Sequence, residues 1–173
     1  KEANFYFNEY FEFCPSITDQ LDIDFIPEKC LGIHFRGTDK LTNNKDCKII
    51  NLTAFLLKLE SFLKDRCFES VFVISDEADS KQTIISFVKN LGVTVLSTHL
   101  PPHFHKTLAS NPDKLSITKN SILEMLLLSK CGCVVKSHSA FSSWAKIINP
   151  SLEMYRVNEC KNNWFPDHYL PEF

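Results

Sequence analysis

The chain has 173 residues, the size of one domain, and a domain that long buries enough surface to hold together without staples. Apolar residues make up 44% of it and charged residues 23%, a globular balance that excludes a disordered tract. A formal net charge of −2, with no Lys/Arg stripe, argues against a nucleic-acid partner.

Residues 1–30 stand apart from the rest of the chain. The opening KEANFYFNEYFEF is aromatic-rich and needs an apolar surface to cover. It is expected to pack against the edge of a sheet or to be the tail of a preceding domain. The stretch from Pro15 to Pro27 is expected to hold a short helix. From residue 31 onward, short apolar runs alternate with amphipathic ones. Leu31–Arg36 reads as a first strand, and Leu52–Arg66 as a helix with Leu52, Phe55, Leu56, Leu59, Phe62 and Leu63 on one face. Ser70–Ser75 (SVFVIS) is rich in β-branched residues, as a strand buried on both faces would be. A helix over Ala78–Asn90, ended by Gly92, leads to a third strand at Val93–Leu96. Residues 98–116 contain Pro101, Pro102 and Pro112 and read as a long irregular loop, a length usually kept for function. Ser121–Lys130 reads as a helix, Cys133–Lys136 as a fourth strand, Phe141–Ile148 as a helix stopped by Pro150, and Glu153–Val157 as a fifth strand. This alternation predicts an α/β fold: a Rossmann-like parallel sheet over residues 31–173 with helices on both faces.

In a doubly wound sheet, ligands bind where neighbouring strands send their connections in opposite directions, at the strands' carboxyl ends. The expected order makes the first and fourth strands that pair. The first ends in His34-Phe35-Arg36-Gly37-Thr38-Asp39-Lys40, the fourth in Ser137-His138-Ser139-Ala140-Phe141. Arg36 brings a planar fork of donors that matches a pair of phosphate oxygens. Gly37 lets backbone approach a ligand closely. Ser137 and Ser139 precede a helix whose first N–H groups make an anion site. Taken singly, each has a plainer reading: a surface or ion-paired arginine, two helix caps, an Asp39 paired with Arg36 or Lys40. Together at one switch point they are equipment for a pyrophosphate, with no metal required. The glycines Gly32, Gly37, Gly92 and Gly132 cannot form a G-x-G-x-x-G fingerprint or a GxxxxGK[ST] loop, so phosphate binding through either is excluded.

Gly32–Lys40 (GIHFRGTDK) closely resembles the first motif of the α1,6-fucosyltransferase and nodulation fucosyltransferase group, H-x-R-x-x-D-K after an apolar strand. That group is related to the α1,2- and protein O-fucosyltransferases. Val71–Glu77 resembles the family's second strand, which ends in an acidic pair. Ser121–Lys130 followed by Cys133–Ser139 resembles its third motif, where a helix with an acidic residue leads to a strand ending in Ser or Thr. The resemblance implies the donor-binding, C-terminal half of a GT-B glycosyltransferase, and inverting, metal-independent fucosyl transfer from GDP-fucose to a glycan or other hydroxyl acceptor. It implies that Arg36 holds the β-phosphate and stabilises the departing diphosphate, the kind of help that often dominates catalysis. His34 and Glu124 would contact the nucleoside, and Ser139 with its loop the phosphate; Asp39, Lys40, Asp76 and Glu77 would shape the pocket around sugar and ribose. Many members carry a second Arg where this chain has Gly37. Where α1,6 enzymes place a carboxylate base, this chain has Asn43 and Asn44, and Asp46 is the nearest acid. The family's first, acceptor-binding domain is not in this sequence. The contrasting expectation, motivated by Gly37 and the unobvious base, is a non-catalytic, degenerate transferase domain that binds a glycan or a partner protein.

The remaining signals are weaker. No apolar stretch approaches the ~20 residues of a membrane-spanning helix; the run around Met125–Leu128 fits a buried helix face. His99, His103 and His105 are separated by Pro101 and Pro102 with no acidic ligand beside them, and read as pocket-lining loop residues rather than a metal site. Cys14, Cys30, Cys47, Cys67, Cys131, Cys133 and Cys160 are odd in number and scattered, unlike a disulfide framework, though a secretory chain could hold one or two bridges. Asn51-Leu52-Thr53 is a glycosylation triplet at an expected helix start. The first residue is Lys1, so a trimmed or partial chain is expected. The compartment follows the source: cytoplasm for a bacterial chain, Golgi or secretory lumen for a eukaryotic one.

Overall fold

The computed structural model describes residues 1–21, 27–37, 48–96, 113–159 and 170. Its described elements run α1 (Glu2–Tyr10), α2 (Pro15–Thr18), a 3-10 turn (Pro27–Lys29), β1 (Cys30–Phe35), α3 (Leu52–Asp65), β2 (Ser70–Ser75), α4 (Ala78–Asn90), β3 (Thr94–Leu96), α5 (Lys114–Lys130), β4 (Cys133–Lys136), α6 (Ala140–Ile148) and β5 (Glu153–Arg156). The strands form one parallel sheet in the order β3-β2-β1-β4-β5. The fold is α/β and Rossmann-like, as the alternation predicts.

Side-chain alternation along the strands divides the core into two layers, because successive residues face opposite sides of a sheet. Leu31, Ile33, Phe35, Val71, Val73 and Val135 meet Phe55, Leu59 and Phe62 of α3 and Ile84 and Val88 of α4. Phe72, Ile74, Val134 and Met154 point the other way, onto Leu123, Leu126, Leu127 and Leu128 of α5 and Ala145 of α6. β1, β2 and β4 are buried along their whole lengths, which is why they read as continuous apolar runs.

Two expectations need correction. The helix before β4 begins at Lys114, seven residues earlier than the apolar run at Ser121 suggests, and the end of the expected 98–116 loop is helical. Its start is set by Asp113, whose carboxylate accepts the Ser116 N–H at 3.3 Å; such a cap satisfies an otherwise orphaned donor. The aromatic opening segment does not lie along the sheet's edge. It forms α1 and packs on α6: the Asn4 amide donates to the Ile147 and Ile148 carbonyls at 2.8 and 3.1 Å, and Phe7 sits 6.2 Å from Trp144. No residue of α1 is fully buried, and Phe5, Tyr6, Tyr10 and Phe11 are exposed. Other boundaries move by one residue, so that Arg36 lies just beyond β1 and Val157 just beyond β5.

Candidate functional site

With β1 between β2 and β4, the chain leaves β1 toward one edge of the sheet and leaves β4 toward the other. The two loops meet. The Arg36 backbone N–H donates to the Ser137 hydroxyl at 2.8 Å, and the Ser137 N–H donates back to the His34 carbonyl at 2.9 Å. The expected switch point therefore exists; it joins Arg36 to Ser137, which Gly37 and Ser139 follow closely in sequence.

Each residue of the β4–α6 turn is held. Ser137 is fixed by β1. The His138 N–H donates to the Asn158 side-chain oxygen at 2.8 Å, while the Asn158 amide nitrogen donates to the Lys48 carbonyl at 3.1 Å. Lys136, the last residue of β4, reaches under α6, where its Nζ donates to the Ser139 carbonyl and, at 2.8 Å, to the Ser143 hydroxyl. Ser139 is the residue before α6, with extended backbone, and its hydroxyl makes no capping bond to the helix. In contrast, Asn51 caps α3 and Asp113 caps α5 through their side chains. The N–H groups of Ala140 and Phe141, at the first two positions of α6, have no acceptor within the helix. A helix start whose preceding side chain makes no capping bond, on a turn bonded to the Arg36 backbone, is suited to an anion.

The acidic pair after β2 borders the same loop. Asp76 accepts the Gly37 N–H at 3.0 Å, and Glu77 accepts the Ser80 hydroxyl at 2.7 Å. The Glu77 carboxylate also packs close to Gly37: a Cβ there would lie 2.9 Å from the carboxyl carbon unless the Glu77 side chain shifted. Asp76 and Glu77 thus meet Gly37, just after β1, through hydrogen bonding and packing.

The two nucleoside candidates are placed differently. His34 is buried with its ring under α6, Nδ1 2.8 Å from the Ser142 hydroxyl and 5.6 Å between its ring and that of Phe141. Glu124 is buried on α5, 3.6 Å from the Lys81 ammonium of α4, and burial pushes its carboxyl up to about 7 against the opposing pull of Lys81. Asp39, Lys40 and Asp46 lie outside the described residues, as do His99, His103 and His105. The sequence reading does not single out Lys136, Ser142, Ser143 or Asn158. A lysine closing an otherwise apolar strand, CVVK, is the available signal for the first. Asn158 carries no local signal, since its partners are 20 and 110 residues away in sequence.

The sequence matches no protein-family model and no curated protein. Among solved structures it is similar to a single-residue variant of Arabidopsis thaliana FUT1 in complex with GDP, with a TM-score of 0.49 and 16% identity over 85% of this chain and 33% of that one. This chain therefore spans about a third of the length of that protein.

Proposed function

We propose that this chain is the donor-binding half of a fucosyltransferase-like glycosyltransferase of the GT-B kind, holding a GDP-sugar, with GDP-fucose as the first candidate, in the crevice between the β1 and β4 loops. The observation that carries the reading is the 2.8 Å bond from the Arg36 backbone to Ser137. It joins the two sequence clusters, one carrying an arginine and one opening a helix, that a diphosphate would bridge. The order of the three motifs along the chain supports the same reading independently of the geometry.

In this reading the Arg36 guanidinium takes a pair of phosphate oxygens, and the first N–H groups of α6 take others. Bond breaking at the sugar leaves negative charge on the diphosphate. Donors fixed beforehand stabilise that charge without having to reorganise, and this is where they lower a barrier most. Arg36 and the helix start supply the charge for leaving-group departure, so the step needs no metal. The acceptor hydroxyl, on a glycan or similar molecule bound mainly by another domain, attacks the sugar from the opposite face and inverts it. Its proton goes to a carboxylate, for which Asp46 is the candidate.

Calorimetry of this chain with GDP and GDP-fucose tests the proposal. Wild type is expected to bind both, and Arg36→Ala to bind about 10- to 100-fold more weakly, the span of ~1.5–3 kcal/mol for a hydrogen bond to a charged group. Absence of GDP binding at millimolar concentration would end the reading.

A further inference from the structure

The structure draws attention to Lys136, a lysine with 0% of its surface exposed. It stands opposite His34 in the β1–β4 register, at the carboxyl end of the sheet. Burying an ammonium costs several kcal/mol unless hydrogen bonds replace its water, whereas an unbranched apolar side chain of similar length would fill the same space without that cost. Two of the replacements are the Ser139 carbonyl and the Ser143 hydroxyl; the Ser143 hydroxyl also donates to the Ser139 carbonyl, at 3.1 Å. The Ser139 carbonyl belongs to the peptide whose other end is the N–H of Ala140, the first residue of α6. Among the described residues the peptide bonds are trans, so this N–H points opposite to the carbonyl that Lys136 holds. Ala140 is exposed. A carbonyl that accepts a charge-assisted bond polarises its peptide, and the N–H at the far end becomes a stronger donor.

We propose that Lys136 is a positioning residue for the donor diphosphate: from below α6 it fixes and polarises the Ser139–Ala140 peptide, and the Ala140 N–H takes the phosphate on the other side. The inference rests on the diphosphate reading of the site. Lys136 itself touches no substrate. Its charge reaches the phosphate through one peptide unit, and the Ser143 hydroxyl keeps the ammonium in place.

The test compares GDP with guanosine, which lacks the phosphates, on the full chain carrying Lys136→Met or Lys136→Gln. GDP affinity is expected to fall by about tenfold, the scale of one charge-assisted hydrogen bond, while guanosine affinity stays at the wild-type value. An unchanged ratio of the two affinities, or an equal fall in both, overturns the role assigned to Lys136. If neither variant folds, the wild type decides by nitrogen-15 NMR: GDP, and not guanosine, should shift both the Ala140 amide and the Lys136 ammonium signals. Two unmoved signals at saturating GDP overturn the proposal. Failure of wild type to bind GDP at all would instead remove the diphosphate reading beneath it. GDP binding with an unaltered ratio in the variants would remove only Lys136.

Discussion

The Glu124 carboxyl lies buried on α5, 3% exposed, with the Lys81 ammonium 3.6 Å away. Burial disfavours its ionised form more than Lys81 restores it, and the carboxyl is pushed up from 4.5 to about 7. Between those two values the folded chain retains a proton that the unfolded chain has lost. The stabilising contribution is therefore complete below the unfolded value and is lost as pH rises through about 7. At ~1.36 kcal/mol per pKa unit, the change across the window is on the order of 3 kcal/mol. Glu124→Gln carries no such proton, so wild type should lose stability relative to it as pH rises from about 5 to about 8. Urea unfolding of both proteins through that range reads the difference; parallel pH profiles would show that Glu124 ionises normally. The same scale shows what a sequence can reveal of a site. The places of Arg36, Gly37, Ser137 and Ser139 beside the strand ends at the switch point are legible because they follow from the order of elements. Lys136, Asn158 and the Lys81–Glu124 pair are not, because their roles come from partners on other elements. For Asp39, Lys40 and Asp46 the sequence reading still stands alone.

At the scale of elements, every strand is located to within one residue, whereas one helix start is seven residues off. Cys133–Lys136 and Ser70–Ser75 have the same bounds in sequence and structure, because a strand buried on both faces is an unbroken apolar run between polar boundaries. α5 reads short because Lys114–Asn120 has little apolar character of its own, and its beginning depends on a cap at Asp113 rather than on periodicity. α1 visibly needs an apolar partner, but nothing local names α6 as that partner. How closely α5 approaches the sheet is recorded in a glycine. A Cβ at Gly32 would lie 2.7 Å from Leu128 Cδ2 and 2.9 Å from Val134 Cγ2. Both neighbours are buried side chains of the core layer beneath α5, so neither can swing into water to make room. Gly32→Ala should cost about 1–3 kcal/mol, the range for added methyl groups in a packed interior. A denaturant midpoint unchanged from wild type would mean that α5 rides higher on β1 than its contacts here require.

For the whole molecule, the central sheet is shared by both core layers, and each layer is completed by its own helices. Ile84 of α4 belongs to the layer with α3, whereas Ile74 of β2 belongs to the layer beneath α5 and α6. Both are buried, at 0% and 2% exposure, so trimming either to valine opens a space that water does not fill. Each substitution should cost about 0.5–1.5 kcal/mol. The two side chains sit on opposite faces of the sheet and belong to separate clusters. Their costs should therefore add to within about 0.5 kcal/mol in the double variant, as expected for sites with no common partner. One domain built on one sheet should also lose both layers together, in a single transition. Denaturant unfolding of Ile74→Val, Ile84→Val and the pair, followed by both tryptophan fluorescence and circular dichroism, tests both statements. Coupling well beyond that limit would mean that the sheet transmits strain between its faces. Two separated transitions would mean that the layer carrying the β4–α6 turn can loosen while the other stays folded. In that case a diphosphate held at the start of α6 would stabilise one layer only, instead of raising the stability of the whole chain.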